Sequence, residues 1–352
     1  MPLPAPTYDV AKSYDENYAA GPAFSGPEPV LAPPRRTISF LGHRLNSPIG
    51  VPAGPLLNSA YVSLYARLGW DIPVYKTVRS VERACHPAPN CLFIPADPLR
   101  EEDALSLRRT APAPDALTDL SITNSFGMPS KPPAEWQADV RAADAAMGPG
   151  QLLIVSIVGT PGAEGRDLAA DFAHTAALAK AAGARVIEAN FSCPNVVSSE
   201  GALYGDAVTS AAVTQRIKEA IGDTPLLIKI GALPEEQLTA VVRANLPFVD
   251  GIAAINTVPL RIVDAAGQQA LPGDGRLKSG VCGAAIRGVG AGMTARLIRI
   301  RDRLHAQYAV VSVGGVMTEQ DIDDRLALGA DLVMSATAAM WDPLMAARWR
   351  NR

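Results

Sequence analysis

Residues 225–230 read PLLIKI, a short aliphatic run ending near a lysine, and residues 185–191 read RVIEANF, a second run ending near an asparagine. Continuous apolar runs of this length, without polar alternation, are the sequence form of parallel strands buried on both faces. Six more lie along the chain, at 48–53 (PIGVPA), 72–77 (IPVYKT), 152–157 (LLIVSI), 250–256 (DGIAAIN), 308–313 (YAVVSV) and 331–335 (DLVMS). Segments with helical spacing follow them at 58–68, 134–146, 166–182, 207–221, 234–244, 291–306, 318–328 and from about 337. The start at 234 is well marked, because Pro234 precedes Glu235 and Glu236 in a first turn that favours acids. Eight strands, each followed by a helix, give an α/β fold class: a (β/α)8 TIM barrel, with chemistry on the loops after the strand C-termini.

Composition narrows the function classes. The 352 residues are 48% hydrophobic and 19% charged, with 32 basic against 35 acidic side chains. That excludes a disordered chain and leaves no basic block for nucleic acid. No apolar run approaches the roughly 18 residues of a membrane span, and the start MPLPAPTYDV has neither a charged n-region nor an apolar h-region. A cytoplasmic location is the expectation, without membrane insertion. The four cysteines are too few and scattered for a disulfide framework. Cys85 and Cys91 bracket His86 in CHPAPNC, but the spacing matches no zinc pattern, so they read as surface-loop thiols and no metal is expected.

Residues 1–35 form a proline-rich extension, extended or draped over the body, and 36–352 form the barrel domain. Within that domain 36–49 (RTISFLGHRLNSPI) read as a β-hairpin joined at Gly42 and His43. A proline-rich insertion at about 80–118, after the second strand, reads as a lid or partner surface.

A barrel enzyme should gather polar residues at its strand ends. Lys76 closes the second run, Asn190 the fourth, Lys229 the fifth and Asn256 the sixth. A lysine near the end of a buried strand is costly unless an anion or hydrogen-bond partner faces it. Either lysine alone could snorkel to solvent; two aimed at one mouth are more informative. Gly314-Gly315 after the seventh run, with Ser335 and Thr337 after the eighth, sit where such barrels bind phosphate. A Gly-Gly pair alone is an ordinary turn. Ala53-Gly54 and Ser279-Gly280 add points where backbone approaches a flat ligand.

The densest signal is Asn190-Phe191-Ser192-Cys193-Pro194-Asn195. Pro194 continues neither strand nor helix and restricts Cys193 to extended conformations, so the thiol is presented on a turn. A lone cysteine in an apolar chain is ordinarily a small core residue. The flanking Asn190 and Asn195, able both to donate and to accept, instead suit a ligand with amide or imide edges.

Together with Lys76-Thr77, Thr123-Asn124-Ser125-Phe126-Gly127-Met128-Pro129, Lys229, Asn256-Thr257, Gly314-Gly315 and Ser335-Ala336-Thr337, this motif resembles the dihydroorotate dehydrogenase family from about residue 36 to 345. The resemblance implies a barrel holding FMN that oxidises dihydroorotate to orotate in pyrimidine biosynthesis. Cys193 and the lack of an apolar amphipathic N-terminal helix place the chain nearer the cysteine-base class 1 than the serine-base class 2. It further implies that Cys193 takes the C5 proton while hydride leaves C6 for flavin N5. Lys76 would stand between flavin and substrate. Asn124, Asn190, Asn195, Asn256 and Thr257 would bind the pyrimidine edges, and the amides of Phe126, Gly127 and Met128 its carboxylate. Ala53, Gly54, Lys76, Thr77, Asn190, Lys229, Gly280, Gly314, Gly315, Ser335 and Thr337 would hold FMN. A homodimer is implied, with electrons passing to fumarate or to NAD through an electron-transfer partner subunit; no GxGxxG follows a strand here.

Thr257 stands where a serine is expected, Ser130 where an asparagine often follows the proline, and 80–118 is longer than the usual link. Two rival readings use the same barrel. A dihydropyrimidine dehydrogenase-like flavoenzyme would act on an uncharged ring, but such proteins usually carry histidine after Cys-Pro, where Asn195 stands. A Schiff-base aldolase would use Lys229 as nucleophile and leave NSFGMP and NFSCPN unexplained.

Overall fold

The computed structural model describes residues 3–34, 37–192 and 203–352. All eight expected runs form parallel strands: β1 (Ile49–Val51), β2 (Ile72–Val78), β3 (Ile154–Ile157), β4 (Val186–Asn190), β5 (Leu226–Ile230), β6 (Gly251–Ala254), β7 (Ala309–Val313) and β8 (Leu332–Met334). They pair in sequence order and close, β8 against β1, into a barrel. Helices lie between them, including Leu168–Ala181 after β3, Ala207–Ile221 after β4 and Glu319–Ala327 after β7.

The two-residue strand period explains the interior. Ile72 and Val74 on β2, Val186 on β4, Leu227 on β5 and Val311 on β7 share one aliphatic cluster, so these positions face inward. The next inward positions toward the C-terminal ends are Lys76, Glu188 with Asn190, Lys229 and Val313. The barrel is therefore dry below and polar at its mouth. The other strand faces pack outward against the helices, in a second cluster that includes Val155, Ile187, Ile228 and Ile252. At the opposite end Ile38–Phe40 and His43–Leu45 form the antiparallel hairpin, whose Phe40 and Leu45 join the inner cluster and plug it. Its turn falls on Leu41 and Gly42, both at positive φ, one residue earlier than the sequence suggested.

The insertion is more ordered than its prolines imply. Its Cys91–Phe93 and Leu107–Arg109 join Ser121–Asn124, Val258–Val263 and Lys278–Gly283 in a separate five-stranded sheet. In spatial order the strands run 91–93, 121–124, 278–283, 258–263 and 107–109.

Residues 3–34 lie on the barrel body. Within them Tyr14–Ala20 is helical, started by a capping box in which Ser13 and Glu16 satisfy each other's backbone amides. Asn58 Nδ2 donates to Tyr18 O at 2.9 Å, and near the far end Asn351 Nδ2 donates to Val30 O at 2.8 Å.

Candidate active site

The barrel mouth and the five-stranded sheet enclose one cavity, and most of the residues singled out in the sequence line it. Ala53 and Gly54 come from the loop after β1, Lys76 and Thr77 from β2, Asn190 from β4 and Lys229 from β5. Asn256 and Thr257 follow β6, Gly314 and Gly315 follow β7, and Thr337 opens a short helix after β8. The sheet supplies Asn124, with Phe126 and Met128 just beyond it.

Lys76 is 7% exposed. Its Nζ donates to Gly54 O at 3.3 Å and stands 4.8 Å from the Phe126 ring and 5.1 Å from that of Tyr14. Two aromatic faces stabilise the ammonium while leaving room for an anionic partner. Lys229, paired in register with Asn190, is 4% exposed. Among the described residues it has no hydrogen-bond or ion-pair partner. Glu188, the inward residue below Asn190, is buried, and its Oε2 has no partner among the described residues.

The amides form a chain. Asn256 Nδ2 donates to Ser192 O and, at 3.3 Å, to Asn190 Oδ1, which also accepts from Ser192 N at 3.1 Å. Asn190 Nδ2 lies 3.5 Å from Met128 Sδ, and Thr257 Oγ1 is buried without a partner among the described residues.

The NSFGMP turn is strained and tightly held. Gly127 has φ 75° and Met128, a non-glycine, φ 51°. Three buried or half-buried groups fix it. Arg79 Nε donates to Met128 O at 3.0 Å, His86 N to Phe126 O at 3.0 Å, and Arg276 Nη2 to Ser125 O at 2.7 Å. A Cβ at Gly127 would meet the His86 ring at 2.4 Å, so insertion and turn are matched in shape.

The Gly314-Gly315 corner is braced by Arg325, a guanidinium only 2% exposed on the helix Glu319–Ala327. It donates to Gly314 O at 3.0 Å, Arg287 O at 2.9 Å and Ser312 Oγ at 3.1 Å, and burial pushes its pKa down to about 10.

Three expected residues lie off the cavity wall. Gly127 turns toward His86, and Gly280 sits in the sheet opposite Asn124 and Pro259. Ser335 Oγ donates to Val316 O at 2.7 Å, bracing the loop after β7. Cys193 and Asn195 lie outside the described residues.

The reading of Cys85 and Cys91 as surface-loop thiols is corrected. Cys91 is 6% exposed, pairs with Asn124 in the sheet and lines the cavity, while Cys85 is half-buried. Burial pushes the Cys85 thiol up to about 11 and that of Cys91 well above its ordinary value, so both stay protonated at neutral pH. The cavity also holds residues that sequence reasoning missed: Tyr8, Ile122, Cys282 and Met340. The Ser13–Glu16 capping box signalled order in the N-terminal segment, but no local pattern places Tyr8 at the mouth.

An inner barrel face that turns from aliphatic to cationic and amide-bearing at its last layer defines a (β/α)8 barrel whose mouth is suited to an anionic, amide-edged ligand. The chain belongs to the dihydroorotate dehydrogenase family, whose model matches residues 112–348, and it is an oxidoreductase of that family. It is 38% identical over 363 aligned residues to dihydroorotate dehydrogenase of Dictyostelium discoideum, across 99% of this chain and 98% of that one. It is 30% identical to dihydroorotate dehydrogenase (quinone) of Leifsonia xyli subsp. xyli, covering 90% of this chain and 83% of that protein. Among solved structures, DHODH from Eimeria tenella in complex with ferulenol superposes with a TM-score of 0.69 at 15% identity, over 90% of this chain and 82% of that one, a likeness of fold.

Removing the Lys229 charge tests its place in the site. Lys229→Met is expected to weaken binding of FMN, the flavin that this family generally uses, at least tenfold in the apoprotein, read by quenching of flavin fluorescence. An unchanged affinity would exclude a contact between Lys229 and the flavin.

Proposed function

We propose that this chain oxidises (S)-dihydroorotate to orotate in pyrimidine biosynthesis, as a class 1-like enzyme with FMN as cofactor and Cys193 as base. The observation that carries the reading is the convergence of two buried lysines, Lys76 and Lys229, with Asn124, Asn190 and Asn256 on one cavity. Such a wall suits a flat anionic ring with imide edges.

The residues present fit FMN. Gly54 has φ 140°, and a Cβ there would meet no atom within 4 Å, so its missing side chain leaves space open for a ligand. Gly314 and Gly315 hold a tight turn beside Thr337, which suits a phosphate. The buried cation of Lys229 and the unpartnered Thr257 hydroxyl are groups that a ligand with oxygen acceptors would satisfy.

FMN, when bound, supplies the two-electron acceptor for hydride leaving C6 of the substrate. The chain's residues do the rest. The carboxylate is received by backbone amides of the strained turn, where Phe126 and Met128 line the cavity, with Lys76 supplying positive charge. The asparagine side chains orient the ring so that the C5 proton faces Cys193. That thiol must lose its proton first, and its ordinary pKa of about 8.5 falls only where hydrogen bonds or a cation stabilise the thiolate.

The family reading also brings a homodimer, an electron-transfer partner subunit and a cytoplasmic location. Leu105 and Leu107, 47% and 51% exposed on the insertion, offer apolar area to a partner. Among the described residues no helix is long and apolar enough to cross a membrane.

The purified protein is expected to be yellow, to release FMN on denaturation, and to be bleached by dihydroorotate without air. Colourless protein that takes up no added FMN would overturn the reading. Bleaching by an uncharged dihydropyrimidine, but not by dihydroorotate, would keep the cofactor and replace the substrate.

A further inference from the structure

The N-terminal segment reaches the mouth at Tyr8, which lines the cavity beside Phe126 and Met340. The chain beside it is fixed from several directions. Thr7 N donates to Met340 O at 2.7 Å, and Ala23 N donates to Thr7 O at 2.9 Å. Thr7 Oγ1 and Tyr65 Oη share a hydrogen bond at 2.8 Å, and Tyr65 Oη donates to Ala339 O at 2.9 Å. The Tyr8 ring meets Phe126 edge-on, with centroids 5.7 Å apart at 82°. Thr7 is thus clamped by main chain and side chain to the Thr337–Trp341 helix, and Tyr8 is held at the cavity wall.

Tyr8 is 2% exposed, yet its buried hydroxyl has no hydrogen-bond partner among the described residues. Buried phenols normally find one. Desolvation raises its pKa, so the group remains a neutral donor across the working pH range. A rigid, buried, unpaired donor on the wall of a ligand cavity is suited to an oxygen acceptor on the ligand.

We propose that Tyr8 is a ligand-binding residue of this enzyme, its hydroxyl donating a hydrogen bond to a carbonyl oxygen of the bound FMN ring or of the bound pyrimidine. The inference rests on the dehydrogenase reading above and makes the N-terminal segment part of the active site.

Tyr8→Phe keeps the ring and its contact with Phe126, so it isolates the hydroxyl. Two titrations distinguish the sources: FMN into apoprotein, followed by flavin fluorescence, and orotate into holoprotein, followed by the shift of the flavin absorption band. The expected result is a loss of about fivefold to tenfold in one of them, the size of one net hydrogen bond, with an apoprotein melting temperature equal to or above wild type. A loss for FMN assigns the flavin carbonyl, and a loss for orotate the pyrimidine carbonyl. Both affinities within twofold of wild type would overturn the proposal. Wild-type protein that binds neither ligand would instead overturn the dehydrogenase reading, and this inference with it.

Discussion

Cys193→Ala is expected to leave the oxidised flavin spectrum intact and to slow anaerobic reduction by dihydroorotate by about 10²–10⁴-fold, the range for losing a positioned general base. On the proposed reading the C5 proton is removed as the C6 hydride departs, and alanine would offer nothing to receive it. Stopped-flow absorbance of the flavin band measures the step directly. In wild type the reduction rate should rise with pH through the thiol's titration, because only the thiolate accepts the proton; in the alanine variant that limb should vanish. Equal reduction rates would place the base elsewhere. The barrel beneath depends on inward aliphatic residues such as Val186 and Leu227, so stability should change little.

Gly315→Ala is expected to weaken FMN binding by about a hundredfold or more, the equivalent of roughly 3 kcal/mol of strain and displacement. Gly315 has φ 72°, and a Cβ there would lie 2.2 Å from Arg287 Cα and 2.4 Å from Arg287 N. Those are backbone atoms at the start of the eighteen-residue helix Arg287–Leu304, so no side-chain rotation relieves the clash. Helix or loop must move, and the loop is also tied to Arg325 through Gly314 O. Gly54→Ala is the informative contrast, because its Cβ would meet no protein atom within 4 Å. There the apoprotein should lose only what the positive φ demands, while FMN affinity falls because the methyl occupies ligand space. Fluorescence titration with melting curves separates the two. An unaltered FMN affinity in Gly315→Ala would mean that the phosphate lies elsewhere.

Much of the site was legible because strands repeat every two residues. A run such as PLLIKI sets Leu227 and Lys229 on one face, and IPVYKT does the same for Val74 and Lys76, so the sequence pattern alone places a charged layer at the barrel mouth. The insertion was not legible. Its strands Cys91–Phe93 and Leu107–Arg109 are three residues long, and Leu107–Arg109 pairs with Val258–Val263, far along the chain. Segments that short carry no period, and their partners are set by tertiary packing. Cys91 was misread for the same reason: a thiol between prolines looks like a surface loop until Asn124 pairs with it.

The sequence by itself determined the barrel, its eight strands and the cations and amides crowning them, because burial on both faces and a fixed side-chain period leave a local imprint. Only the tertiary structure decided what closes the mouth: the five-stranded sheet, the buried Cys91 and Tyr8 brought in on the N-terminal segment. Those contacts join residues from tens to hundreds of positions apart, from Cys91 with Asn124 to Thr7 with Met340, and long-range packing of that kind leaves no signal in either segment alone.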